Sequence, residues 1–173
     1  MSLAVLAYPR LSRDDYNFIQ EFRSKNDRHF PLFEPHFTFV FPVYDIKEND
    51  FKEHIIKTAA RLKPAEFTLN CAITVKDFFS EFWEVFLVPD KGNSTLIKMH
   101  DLLYKGLLIT HLRIDIPFIP HINIGSDVDP FHCINLAGEL NNSDISIAGR
   151  IEKLSIVRIE ENSVETIEDI VLR

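Results

Sequence analysis

Glycine is scarce in this chain, with five residues in 173. Together with nine prolines it leaves no flexible linker, no collagen-like repeat and no low-complexity tract. Cysteine is scarcer still. Cys71 and Cys133 stand far apart with no C-x-x-C spacing; one disulfide between them stays open, but two free thiols in a reducing cytosol are the favoured reading. An excess of positive charge is also missing: 19 Lys and Arg face 26 Asp and Glu, for a net charge of −7. Residues 106–173 hold only 5 of those bases but 11 of the acids. Such a chain is not built to grip long duplex nucleic acid, because counterion release needs a basic surface. It can still hold one small phosphate ester locally. Long apolar runs are absent too. The opening stretch Met1–Tyr8 is too short for a membrane helix and lacks the basic start of a signal peptide, so it reads as a first strand of a cytoplasmic protein.

What is plentiful is aromatic and aliphatic bulk. Fifteen phenylalanines and 46% hydrophobic residues suffice for a large core. Leu3–Tyr8 reads as a strand ended by Pro9. Ser12 and Asp15 have capping-box spacing before a helix whose apolar face is Phe18, Ile19 and Phe22. His36–Phe41 alternates, with Phe37, Phe39 and Phe41 on one face and His36, Thr38 and Val40 on the other. A second helix is expected over 48–62, stopped by Pro64, and a third after Gly92 with Leu96, Met99, Leu103 and Leu107 inward. Phe67–Val75 and Phe82–Val88 read as an antiparallel pair. His121–Ile124 is a short strand, 127–140 a loop or short helix, 145–159 strand that is broken or bent near Gly149, and 166–172 the last strand. The acidic stretch 160–169 reads as a solvated turn. Strands and helices intersperse without regular βα alternation, so the fold class is α+β with antiparallel sheet.

An internal repeat carries the chemistry. Phe33-Glu-Pro-His-Phe-Thr-Phe39 and Phe118-Ile-Pro-His-Ile-Asn-Ile124 share the pattern Phe-x-Pro-His-apolar-(Thr/Asn)-apolar, 85 residues apart. In each copy the proline stiffens the approach, and a strand aims His and the residue two positions on toward one side. Two imidazoles that titrate near neutrality can divide acid and base roles. A hydroxyl or amide beside each can bind a non-bridging phosphate oxygen. Water attack on a cyclic phosphate needs both functions and no metal.

On these residues the chain resembles the two-histidine phosphoesterase superfamily, which includes LigT-like RNA 2',3'-cyclic phosphodiesterases, also called 2'-5' RNA ligases. The resemblance covers the first strand, both motifs with their spacing, and the late strand 151–159. It implies a fold of two pseudo-symmetric lobes, antiparallel sheets flanked by helices around a central cleft, in one two-lobed domain over 1–173. Each lobe would hold about 85 residues and one motif. It further implies a metal-independent phosphodiesterase with no cofactor, acting on a nucleotide or RNA end that carries a 2',3'-cyclic phosphate or a 2'-5' linkage. His36 and His121 would be catalytic, with Thr38 and Asn123 on the phosphate and Tyr8 and Trp83 the aromatics best placed to line the cleft. Asn123 departs from the Thr or Ser of the family pattern; its amide still donates hydrogen bonds. No membrane, long duplex or second copy of the chain is required.

Simpler readings stand beside these. Each His taken alone is a strand-start residue, Thr38 is an ordinary strand residue, and Tyr8 and Trp83 can be plain packing at strand ends. A non-catalytic nucleotide-binding or interaction module on the same fold is the main alternative function. A metallohydrolase using His132, Cys133 and a distant His is a further one; His29, His54, His100 and His111 show no ligand spacing. Arg10, Lys76, Arg113 and Arg150 could each approach a phosphate, and nothing in the sequence separates them.

Overall fold

Ser2–Ala7 (β1) is an unbroken run of small and aliphatic residues, and all six are buried. Such a run suits a strand covered on both faces, and β1 lies inside a sheet. The computed structural model describes residues 1–173. Along the chain follow Arg10–Leu11 (β2), Arg13–Asn26 (α1), Phe37–Val43 (β3), Glu48–Ala59 (α2), Ala65–Lys76 (β4), Trp83–Lys91 (β5) and Asn93–Leu103 (α3). After them come Ile122–Asp127 (β6), Pro130–Asn142 (α4), Ile147–Ile151 (β7), Lys153–Glu160 (β8) and Ser163–Val171 (β9). Every strand pairing is antiparallel. The α+β expectation holds. No helix is long and apolar enough to cross a membrane.

Two sheets form, in the orders β3-β1-β8-β9 and β2-β7-β4-β5-β6. They do not follow the halves of the chain. The first takes its outer half from the last strands, because Ser2–Leu6 pairs with Ser155–Ile159. Each sheet holds one motif: His36 leads into β3, and His121 leads into β6. The lobes are therefore interleaved rather than two successive units of about 85 residues.

Several elements differ in detail from the periodicity. The Ser12 cap is made as expected, its hydroxyl accepting from the Asp15 N–H at 3.1 Å. In β3, extra residues opposite Leu3–Val5 and Val5–Leu6 bulge the strand. Bulges break alternation. Val40 is accordingly buried and Phe41 half-buried, the reverse of strict alternation. The third helix ends before Leu107, because Gly106 at φ +67 turns the chain; Leu107 is left exposed and Leu108 fills the core. Residues 145–159 are two strands in different sheets, parted at Glu152 rather than Gly149. Gly149 lies within β7, where a Cβ would sit 2.4 Å from the Phe67 ring. Most of the acidic stretch is edge strand β9, not a turn. Its acids are paired: Asp169 with Lys153, Glu165 with Arg158 and Glu168 with Lys52.

Candidate functional site

The proline of each motif does more than stiffen the chain. Pro35 and Pro120 are buried, and the residue before each turns its carbonyl onto the following histidine. His36 Nδ1 lies 2.8 Å from the Glu34 carbonyl oxygen, and His121 Nδ1 lies 2.6 Å from that of Ile119. A carbonyl can only accept, so each Nδ1 carries the proton and each neutral ring keeps Nε2 as its basic atom. The repeat thus specifies two imidazoles in the same tautomer.

Each ring rests on an aromatic neighbour. His121 stacks on Phe86 at 3.5 Å between centroids and 10° between planes. His36 lies 4.9 Å from Phe33 and 6.0 Å from Tyr8. Both histidines keep partial contact with solvent. Burial nonetheless holds both imidazoles near a pKa of about 4, below the ordinary 6.5, because a charged ring loses hydration there. The backbone carbonyls offset part of that shift. For His121 the charge on His36 pushes further in the same direction as burial, so His121 senses the other ring. A bound anion would act in the opposite direction on both.

Thr38 stands opposite Leu6 in the β1–β3 ladder, on the side where Tyr8 and Phe33 pack around Leu6. Tyr8 lies at the end of β1, half-buried, with its hydroxyl pKa raised by burial and then by Glu34 and Asp169. These residues join His36 in one region. Asn123 is two residues beyond His121 and opposite Phe86 in the β5–β6 ladder. Its Nδ2 donates to Glu84 Oε2 at 2.7 Å, while its Oδ1 is shielded from solvent and has no partner. Trp83 is not with them. Alternation along β5 sends it to the face opposite Glu84 and Phe86, where it packs against the main core and Cys133 donates to its carbonyl at 3.5 Å. Its expected place in the cleft is not where the structure puts it.

Residues outside the motifs complete the region. Glu84 is 6% exposed, and Arg28 donates to its Oε1 at 2.9 Å. Arg28 also donates to Asp77 at 3.0 Å, and its guanidinium lies 4.0 Å from the Phe82 ring centre. Burial pushes the Glu84 carboxyl up to about 7, against the opposing pull of Asn123 and Arg28. Beside His36, Arg23 and Asp27 form a 2.8 Å ion pair, 2% and 1% exposed. A single acid within Phe82–Val88 was the one sequence signal for Glu84. Nothing local announced Arg28, whose partners come from β4–β5.

Of the other histidines, His29 borders this region, edge-on to Phe33 at 6.4 Å, and its charge reaches His36; the rest are engaged elsewhere or exposed. His100 stacks on Phe118 at 3.8 Å, and His111 pairs with Asp45 at 2.9 Å. His132 is exposed and Cys133 buried, and no group of three or more His, Cys, Asp or Glu gathers as a metal site would require.

The chain is an α+β fold of two antiparallel sheets, each of which carries one histidine motif. Residues 11–163 match the family model of the 2'-5' RNA ligase superfamily, and the chain belongs to that superfamily. A protein of Geobacillus sp. (strain WCH70), provisionally named a phosphoesterase, is 23% identical over 167 residues, spanning 96% of this chain and 93% of its own. Among solved structures, TT0787 of Thermus thermophilus superposes with a TM-score of 0.64 at 15% identity, over 100% of this chain and 98% of that one. E. coli LigT complexed with 3'-AMP gives 0.57 at 14% identity, over 99% and 97%. These likenesses show the LigT-like fold, and the superfamily supports a phosphoesterase-type activity.

Proposed function

We propose that the protein is a phosphodiesterase in which His36 and His121 act as an acid–base pair on a 2',3'-cyclic phosphate or a 2'-5' linkage at a nucleotide or RNA end. The observation that carries this reading is the matched state of the two rings. Each is anchored through Nδ1, each has Nε2 free, and the charge on His36 reaches His121. The complex of LigT with 3'-AMP supports a nucleotide as the ligand class.

In the reaction, one neutral Nε2 takes a proton from water as the water oxygen bonds to phosphorus. The other ring, protonated at Nε2, gives its proton to the ribose oxygen as that P–O bond breaks. The Thr38 hydroxyl and an Asn123 N–H donate to the non-bridging oxygens as their charge grows. The acid must hold its proton in the complex, although both rings are neutral at pH 7 without ligand. The substrate supplies the remedy: a phosphate anion beside an imidazole raises its pKa. The pH optimum of kcat is therefore expected above that of kcat/KM, since the former reports the complex and the latter the free protein.

The test is hydrolysis of a 2',3'-cyclic nucleotide by His36→Ala and His121→Ala. Each is expected to lose on the order of 10²–10⁴ in kcat. Undiminished turnover in either would sink the mechanism. One observation favours the alternative of a binding module without turnover: Glu84 already occupies one N–H of Asn123. Tight 3'-AMP binding by the wild-type protein, with no hydrolysis of cyclic or 2'-5' substrates, would select it.

A further inference from the structure

The two motifs differ at one position, Thr38 in the first and Asn123 in the second, and the difference is chemical. A hydroxyl can rotate to donate wherever a phosphate oxygen lies. An amide has a donor end and an acceptor end, and a carbonyl turned toward a phosphate would repel it. The second motif therefore works on an anion only if something holds the amide the right way round.

Glu84 is placed to do so. One carboxylate oxygen accepts from Asn123 Nδ2 at 2.7 Å, and the other accepts from Arg28 at 2.9 Å. An ionised carboxylate only accepts, so it can engage the NH2 end of the amide and never the carbonyl. The carbonyl Oδ1 is turned into the protein, shielded and without a partner. Leaving a buried acceptor unpaired is costly. The contact with Glu84 offsets that cost. Nδ2 carries two protons, and Glu84 takes one. The second is the one donor the amide still has.

We propose that Glu84 is a positioning residue whose carboxylate, clamped by Arg28, fixes the Asn123 amide so that its remaining N–H serves a phosphate oxygen where the first motif uses the Thr38 hydroxyl. The proposal rests on reading the site as a phosphate site. Protonation of Glu84 undoes the arrangement: a neutral carboxyl can donate to Oδ1, and the amide is free to turn over. Burial places that titration at about 7. The groups that face Glu84 are Asn123 from β6, Arg28 and Asp27 from the segment after α1, and Asp77 from the β4–β5 turn; from the opposite face of the sheet the Cys133 thiol of α4 senses its charge. Of these, the two aspartates favour protonation, while Asn123 and then Arg28 oppose it.

The experiment has two arms. The first follows the Asn123 side-chain NH2 by ¹H–¹⁵N NMR, assigned by its loss in Asn123→Thr. In the wild-type protein the signal is expected to titrate with a midpoint near pH 7, and in Glu84→Gln it should not titrate. This arm needs no activity, and its main observation needs no change at Glu84. The second measures 3'-AMP binding by calorimetry at pH 8. Glu84→Gln is expected to weaken binding about tenfold in the wild-type background, the scale of one charge-assisted hydrogen bond. In the Asn123→Thr background it should change binding less than about twofold, because a hydroxyl needs no orienting partner. Equal losses in both backgrounds, or an Asn123 amide that does not titrate, would overturn the role given to Glu84 while leaving the phosphate site intact. Failure of the wild-type protein to bind 3'-AMP would overturn the phosphate reading, and this proposal with it.

Discussion

Arg23 and Asp27 sit one helical turn apart at the end of α1, almost wholly excluded from water, and their charges reach His36. Asp27 uses its other oxygen to accept from the His29 N–H at 2.9 Å. Removing one partner of such a pair strands the other charge, which typically costs about 3–5 kcal/mol. Asp27→Ala is thus expected to lower the urea midpoint by that order of free energy, and an unchanged midpoint would contradict the burial argument. The histidines themselves were legible in the sequence because the repeat gave each one a second witness. Glu84 and Arg28 were not. They are 56 residues apart, and only the fold brings them together, so neither local pattern nor spacing carried a signal. Trp83 failed for a related reason. A strand-end aromatic has two faces to choose from, and the register that decides between them is set by pairing with Lys76 and Asp127.

Among the elements, helix starts and strand cores followed from composition, while the breaks depended on tertiary contacts. Ser12 capped α1 as its sequence dictates. The bulges of β3 are set by β1, and the parting of β7 from β8 is set by two different sheets, so no window of sequence contains either. The junction between β5 and α3 is one place where a single residue governs an element. Gly92 has φ +89, and a Cβ there would meet the Glu66 carbonyl oxygen at 2.3 Å. Left-handed backbone alone costs a side chain roughly 1–2 kcal/mol, and the clash adds to it. Gly92→Ala is expected to lower the melting temperature by several degrees at least. Gly138→Ala provides the contrast, because beyond its own stretch of helix backbone no atom lies within 4 Å of its added Cβ.

At the scale of the whole molecule, the interleaved sheets oblige the chain's two ends to fold together, since β1 lies between β3 and β8. Two desolvated imidazoles gathered in this way also make stability depend on pH. Their folded pKa of about 4 lies below the ordinary 6.5, so between these values the unfolded chain binds more protons than the folded one. Their contribution is present above pH 6.5 and is lost as pH falls through about 4. Glu84 acts in the other direction. Its folded pKa of about 7 exceeds the ordinary 4.5, so its contribution is present below pH 4.5 and is lost as pH rises through 7. Two histidines outweigh one carboxyl between about pH 4.5 and 6.5, and the melting temperature should rise with pH across that range. His36→Gln with His121→Gln should flatten or invert the slope. The central claim is that both rings address one phosphate. The most direct test is an NMR titration with 3'-AMP that follows the Nε2 resonances of His36 and His121 together. Parallel shifts of both, complete at one equivalent with a single dissociation constant, are predicted. A response confined to one ring, or separate responses at different ligand concentrations, would contradict the account.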